Sequence, residues 1–222
     1  MMLRRDRPSA LAVLLGALAL PVCALVLAIQ LLAGPDYLRW TMARPGYPDS
    51  PGFSSEERLA AALPSTAFIL GAGSAETLAA LEHRGVPLYQ AAEIDHLVDV
   101  RQVIGGIRLS GLFLAAAALI LLALRPRGLR LGLARAMAAG SKLLLGFLLL
   151  LGLAILVDWD LAFTTMHRLF FADGTWQFAA DSALIRLFPD RFWYDTALAL
   201  VALLALQGLA ALAAARVLRP RA

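Results

Sequence analysis

Three histidines stand among the 222 residues of this chain: His83, His96 and His167. Histidine is the side chain best matched to proton transfer near neutral pH, so these three come first as carriers of chemistry. His83, in Leu81-Glu82-His83-Arg84-Gly85, stands at the polar end of a short helix predicted over 75–81 and reads as a solvated surface residue. His96 lies in Glu93-Ile94-Asp95-His96-Leu97-Val98-Asp99-Val100-Arg101, where an amphipathic helix puts Glu93 and Asp99 on its own face, three residues to either side. A carboxylate there would orient the ring and stabilise its protonated form. His167 is surrounded by apolar bulk, with Phe163, Thr164, Phe170 and Phe171 on its helical face, so its ionisation depends on a specific partner.

Other catalytic signatures are missing. The sequence holds no Gly-x-Ser-x-Gly elbow, no His-Glu-x-x-His, no phosphate loop and no cysteine pair. His96-x-x-Asp99 with His167 is a minimal metal-binding set, but such short spacings arise often by chance, and neither metal nor cofactor is expected. Cys23, the one cysteine, excludes an internal disulfide and reads as a buried thiol within the first apolar run.

The elements that must position the histidines are set by the bilayer. Hydrophobic residues make up 60% of the chain, against about 45–50% in soluble domains. Apolar runs cover about 9–33, 107–124, 136–157 and 195–217. Each is read as a transmembrane helix, although the middle two are short of the ~20 residues a span needs unless they extend into their flanks. The net charge of +4 is not a nucleic-acid footprint. Arg4, Arg5 and Arg7, then Arg125, Arg127, Arg130, Arg135 and Lys142, then Arg216, Arg219 and Arg221 gather at one side of the spans. Fifteen of the sixteen acidic residues fall in 34–108 and 158–195. By the positive-inside rule both termini and the loop 125–135 are cytoplasmic, and segments 34–106 and 158–194 face outward.

The expected fold is an all-α membrane protein, one domain over 1–222, with four transmembrane helices and two outward-facing segments of short amphipathic helices and loops. Gly34-Pro35, Arg44-Pro45-Gly46-Tyr47-Pro48 and Ser50-Pro51-Gly52 mark turns, and Ser54-Ser55-Glu56-Glu57 marks a helix start. Ser182–Phe188 is expected as a short amphipathic helix at headgroup level. From Arg125 back to His96 is 29 residues, and from Lys142 forward to His167 is 25. At ~1.5 Å per residue these are about 43 and 37 Å, against a hydrocarbon core of about 30 Å. If neither helix breaks, at Gly105-Gly106 for instance, the two histidines reach similar heights at the outer surface.

Two motifs carry a resemblance. The first is Glu93-Ile94-x-His96-Leu97-x-Asp99-Val100 before a transmembrane pair. The second is His167-x-x-Phe170-Phe171-x-x-x-x-Trp176-x-Phe178, then Leu184-Ile185-x-x-Phe188-Pro189-x-x-Phe192. In this order, with four spans, the chain resembles the bacterial lipoprotein intramolecular transacylase (Lit) family. The resemblance implies an enzyme of the bacterial cytoplasmic membrane acting on diacylglyceryl lipoproteins. The acyl chain at the glyceryl sn-2 position moves to the α-amino group of the same N-terminal cysteine, giving the lyso-form. It also implies His96 and His167 as the functional pair. His96 is then the candidate base, and His167, Arg101 or Arg168 the candidate donor to the developing oxyanion. Phe163, Phe170, Phe171 and Trp176 would contact acyl chains, and membrane lipids would surround the spans. The rival readings are a non-catalytic accessory or lipid-binding protein and a metal-dependent membrane hydrolase.

Overall fold

The computed structural model describes residues 8–50 and 52–219. Arg4, Arg5, Arg7 and Arg221 of the charge pattern, and Pro51 of the turn-rich stretch, lie outside the described residues. Four helices are long and apolar enough to cross a membrane: α1 (Ala10–Leu32), α5 (Ala91–Ala123), α6 (Leu129–Val157) and α9 (Asp190–Leu218). Between them come α2 (Pro35–Met42), α3 (Ser55–Ile69), α4 (Ala75–Ala79), a two-stranded hairpin of β1 (Glu82–His83) and β2 (Val86–Pro87), α7 (Trp159–Phe170) and α8 (Ala183–Leu187). The chain divides into two compact units.

One unit comprises, of the described residues, 8–28, 106–153 and 200–219. Small residues let its helices approach closely, as they do in lipid, where van der Waals contact replaces the hydrophobic drive. Gly140 of α6 lies so near α1 that an added Cβ would meet the Ala17 carbonyl oxygen at 2.7 Å. A Cβ on Gly16 would meet Ala136 at 2.8 Å. Ala24, Ala28, Leu144, Leu148 and Leu204 form the buried core. Apolar side chains also cover the surface, Phe113 at 72% and Leu150 at 68% exposure among them, which suits a hydrocarbon solvent. The Arg130 guanidinium donates to the terminal carbonyls of α9 at Leu218 (3.0 Å) and Val217 (3.3 Å), satisfying acceptors the helix leaves open. Cys23 is exposed, not buried as expected, and its thiol reaches the Gly111 carbonyl of α5 at 3.6 Å.

The other unit comprises residues 29–105 and 154–199. Its core gathers Leu38 and Met42 of α2, Ala62 and Phe68 of α3, Leu78 of α4, Leu97 of α5, Leu184 and Leu187 of α8, and Phe188 and Phe192. Ser54 and Glu57 form a reciprocal capping box that starts α3 where its sequence signature stands. The segment after α4 departs from expectation. The helix stops at Ala79, and Arg84 (φ 54) and Gly85 (φ 79) turn the chain back as a hairpin. Two successive positive φ values suit a tight hairpin turn. His83 is therefore held, stacked 4.1 Å from Phe53 with Nε2 2.9 Å from the Gly52 carbonyl, and is not loosely solvated. The segment at 182–188 also differs. Ser182 caps α8, but Leu187 is 0% exposed, so the helix is core and not a surface float.

The connections of the long helices matter for the site. Gly105 and Gly106 do not interrupt α5, which runs unbroken for 33 residues, about 50 Å. A 3₁₀ turn at Pro126–Gly128 joins it to α6, which begins at Leu129 and takes Arg130 and Arg135 into its first turns. By contrast α6 does break. It ends at Val157, and Asp158, in extended conformation, accepts from Leu161 N and caps α7. His167 therefore stands on a separate helix.

Candidate active site

His96 projects from the second turn of α5 and His167 from the last turns of α7, both within the same unit. Their rings lie 6.3 Å apart between centroids and 24° from parallel. Aromatic side chains wall the pair. Phe171 and Phe178 meet His96 edge-on at 5.0 and 5.6 Å, and Phe163 lies 4.1 Å from His167. Trp176 stacks on His167 at 4.6 Å and 29°. A turn at Ala172–Thr175, with Gly174 at φ 86 and Thr175 bonded back to the Ala172 carbonyl, reverses the chain after α7 and carries Trp176 under that helix. Trp176 and Phe178, two residues apart in a non-helical stretch, reach the two different histidines.

The hydrogen bonds fix more than position. His167 Nδ1 lies 2.9 Å from the Phe163 carbonyl oxygen. A carbonyl only accepts, so Nδ1 carries the proton and neutral His167 presents a lone pair at Nε2. Burial holds the His167 imidazole below the ordinary histidine value, against the upward pull of that carbonyl. Two buried polar atoms at the site have no hydrogen-bond partner among the described residues: His96 Nδ1 and Trp176 Nε1. Unpaired groups of this kind are rare in folded proteins because each forfeits its hydration.

The predicted supporting residues go elsewhere, with one exception. Glu93 is 1% exposed and turns away from His96. Its Oε2 accepts from Gln90 N and its Oε1 from Leu184 N, both at 2.8 Å, so it caps its own helix and ties α8 to it. The signal was present: a glutamate three residues after Gln90 is the reciprocal half of a capping box. Arg101 donates to the Gly73 and Gly71 carbonyls at 2.9 and 3.0 Å and covers the Phe68 ring. Arg168 pairs with Asp173 at 3.3 Å in solvent. Asp99 shares the helical face of His96, but no hydrogen bond or ion pair joins the two among the described residues. Of the predicted lipid contacts, Phe163, Phe171 and Trp176 surround the histidines, while Phe170 is 50% exposed and touches Phe171 at 6.4 Å. Among the described residues no three His, Cys, Asp or Glu side chains are gathered to hold a metal ion.

Residues 14–193 match the family described as lipoprotein intramolecular transacylase Lit. The chain belongs to the Lit family. It is thus an integral membrane enzyme, a transacylase whose substrate is a lipoprotein. The fold of the Lit protein from Bacillus cereus, solved in meso, is similar to it with a TM-score of 0.76 at 17% identity, over 94% of each chain. A histidine-to-arginine variant of that protein aligns with a TM-score of 0.63 at 16% identity, over 94% of this chain and 90% of the other. An uncharacterized protein of Aquifex aeolicus is 27% identical over 178 residues, 79% of each chain. In this Lit chain the motif residues His96, His167, Phe171, Trp176 and Phe178 are those the fold brings into one cluster.

Proposed function

We propose that His96 and His167 are the catalytic pair of this transacylase and divide two protons between them. The substrate's α-amino group arrives as an ammonium and must shed two protons to become an amide nitrogen. His96 takes the first and passes it to solvent, leaving a free amine. The amine nitrogen then attacks the sn-2 ester carbonyl. His167 Nε2 takes the second proton as the C–N bond forms, and returns it to the glyceryl oxygen as the C–O bond breaks. The products are an N-acyl cysteine and a free glyceryl hydroxyl, with one net proton released.

The observation that carries this reading is the placement of two imidazoles 6.3 Å between centroids, from separate helices, inside an aromatic shell. The tautomer of His167 supports its part as acceptor, and burial favours the neutral form a base requires. Donor and acceptor groups sit on one substrate molecule, so orientation supplies much of the rate. Phe163, Phe171, Phe178 and Trp176 provide apolar surface for acyl chains and exclude water. The charge pattern supports cytoplasmic termini, an outward-facing site and a place in the bacterial inner membrane, with lipid around the spans. Expressing the chain in bacteria that make only diacyl lipoproteins tests the reaction. Lyso-form product is expected, and its absence alongside stable expression contradicts the reading.

A further inference from the structure

We propose that the indole N–H of Trp176 is the hydrogen-bond donor that meets the carbonyl oxygen of the migrating acyl group; this rests on the transacylase reading. Acyl transfer places negative charge on that oxygen, and a preorganised donor there is among the largest contributions to such catalysis. The obvious donors are engaged elsewhere. Arg101 is spent on the Gly71 and Gly73 carbonyls, and Arg168 on Asp173. The one N–H of neutral His167 points to Phe163, leaving a lone pair that would repel an oxyanion.

Trp176 has what the others lack. Its side chain is buried, at 9% exposure, and its Nε1–H has no partner among the described residues. Indole nitrogen donates and cannot accept, so the group suits an acceptor such as a carbonyl oxygen. The ring stacks on His167, which puts the donor beside the residue that handles the proton of the same step. No residue of α7, the helix carrying Phe163 and His167 over the indole, is fully buried; the two side chains are half-buried. On this proposal the acyl chain enters along α7. The second unpaired atom, His96 Nδ1, meets the other polar end of the substrate, the amine. In the step itself the nitrogen–carbonyl bond forms, electrons move onto the carbonyl oxygen under the indole N–H, and they return as the glyceryl C–O bond breaks.

The test uses the full chain in detergent–lipid micelles with a synthetic diacylglyceryl lipopeptide. Trp176→Phe is compared with Trp176 replaced by β-(3-benzothienyl)alanine, which keeps the bicyclic shape and puts sulfur where the N–H was. We expect kcat to fall about 100-fold in both, as for loss of one oxyanion donor, with KM and the melting temperature of the sulfur isostere unchanged. Wild-type kcat in the isostere would overturn the proposal and leave Trp176 a stacking surface only. A wild-type enzyme that makes no lyso product in the same assay would instead overturn the reading beneath it.

Discussion

His167 donates its Nδ1–H to the carbonyl oxygen of Phe163, 2.9 Å away and one turn earlier in α7. The bond locks both the orientation of the ring and its tautomer. The pH dependence follows from that tautomer. A proton on Nε2 abolishes the base, and burial makes that proton harder to add. The sign is then fixed: activity is present above the folded-state value and lost as pH falls through it. The acid limb of kcat against pH should have its midpoint below the ordinary histidine value of about 6.5. A midpoint above that value would contradict a neutral His167 acting as acceptor.

Glu93 and Asp99 flank His96 symmetrically in sequence and differ in the structure. Glu93→Ala should lower the melting temperature far more than Asp99→Ala. It removes the acceptor for two backbone N–H groups, Gln90 and Leu184, at about 1–3 kcal/mol each when buried. Thermal unfolding followed by circular dichroism in detergent measures the difference, and equal melting temperatures would refute the tie between α5 and α8.

Arg168 and Arg101 offer a contrast in chemistry. Arg168→Ala breaks a solvent-exposed pair worth at most about 1 kcal/mol and should leave kcat within about twofold of wild type. Arg101→Ala should cost stability through the Gly71 and Gly73 carbonyls while kcat at low temperature holds. A loss of kcat of about 100-fold in either variant would return that guanidinium to the oxyanion role.

Gly140 sets the approach of α6 to α1. Gly140→Ala should destabilise the bundle by about 1–3 kcal/mol, because the new Cβ meets a backbone oxygen that has no rotamer to yield. Gly146→Ala, at a position open for 4 Å, is the control and should be neutral or slightly stabilising. Chemical unfolding in mixed micelles reads both.

The spans were legible because each is a long apolar run, and a bilayer allows few alternatives. The two histidines were legible as a pair, but not for the reason of matched helix length. Helix α6 breaks at Asp158, whose capping side chain looks in sequence like any polar residue at the end of a span. The fate of Glu93 was legible in part: Gln90-x-x-Glu93 marks the helix cap, but helical spacing does not show that the Leu184 N–H lies nearby. Trp176 read as lipid contact, since an indole is mostly apolar surface. Only the unpaired Nε1, visible once its neighbours are placed, marks it as a polar group. His83 lies at the surface as expected, but its hold on Phe53 and Gly52 was not legible, because the hairpin depends on Arg84 adopting a positive φ that its side chain does not advertise.

The central claim is that His96 and His167 act together on one migrating acyl chain. The direct measurement is mass spectrometry of a synthetic diacylglyceryl lipopeptide incubated with purified wild type, His96→Ala, His167→Ala and the double variant. The N-acyl lyso product should form with wild type and fall by about 10²–10⁴-fold with either single variant. The double variant should lose little more, because residues that act as one unit are not additive. Undiminished acyl migration in either single variant, with the protein folded, would contradict the account.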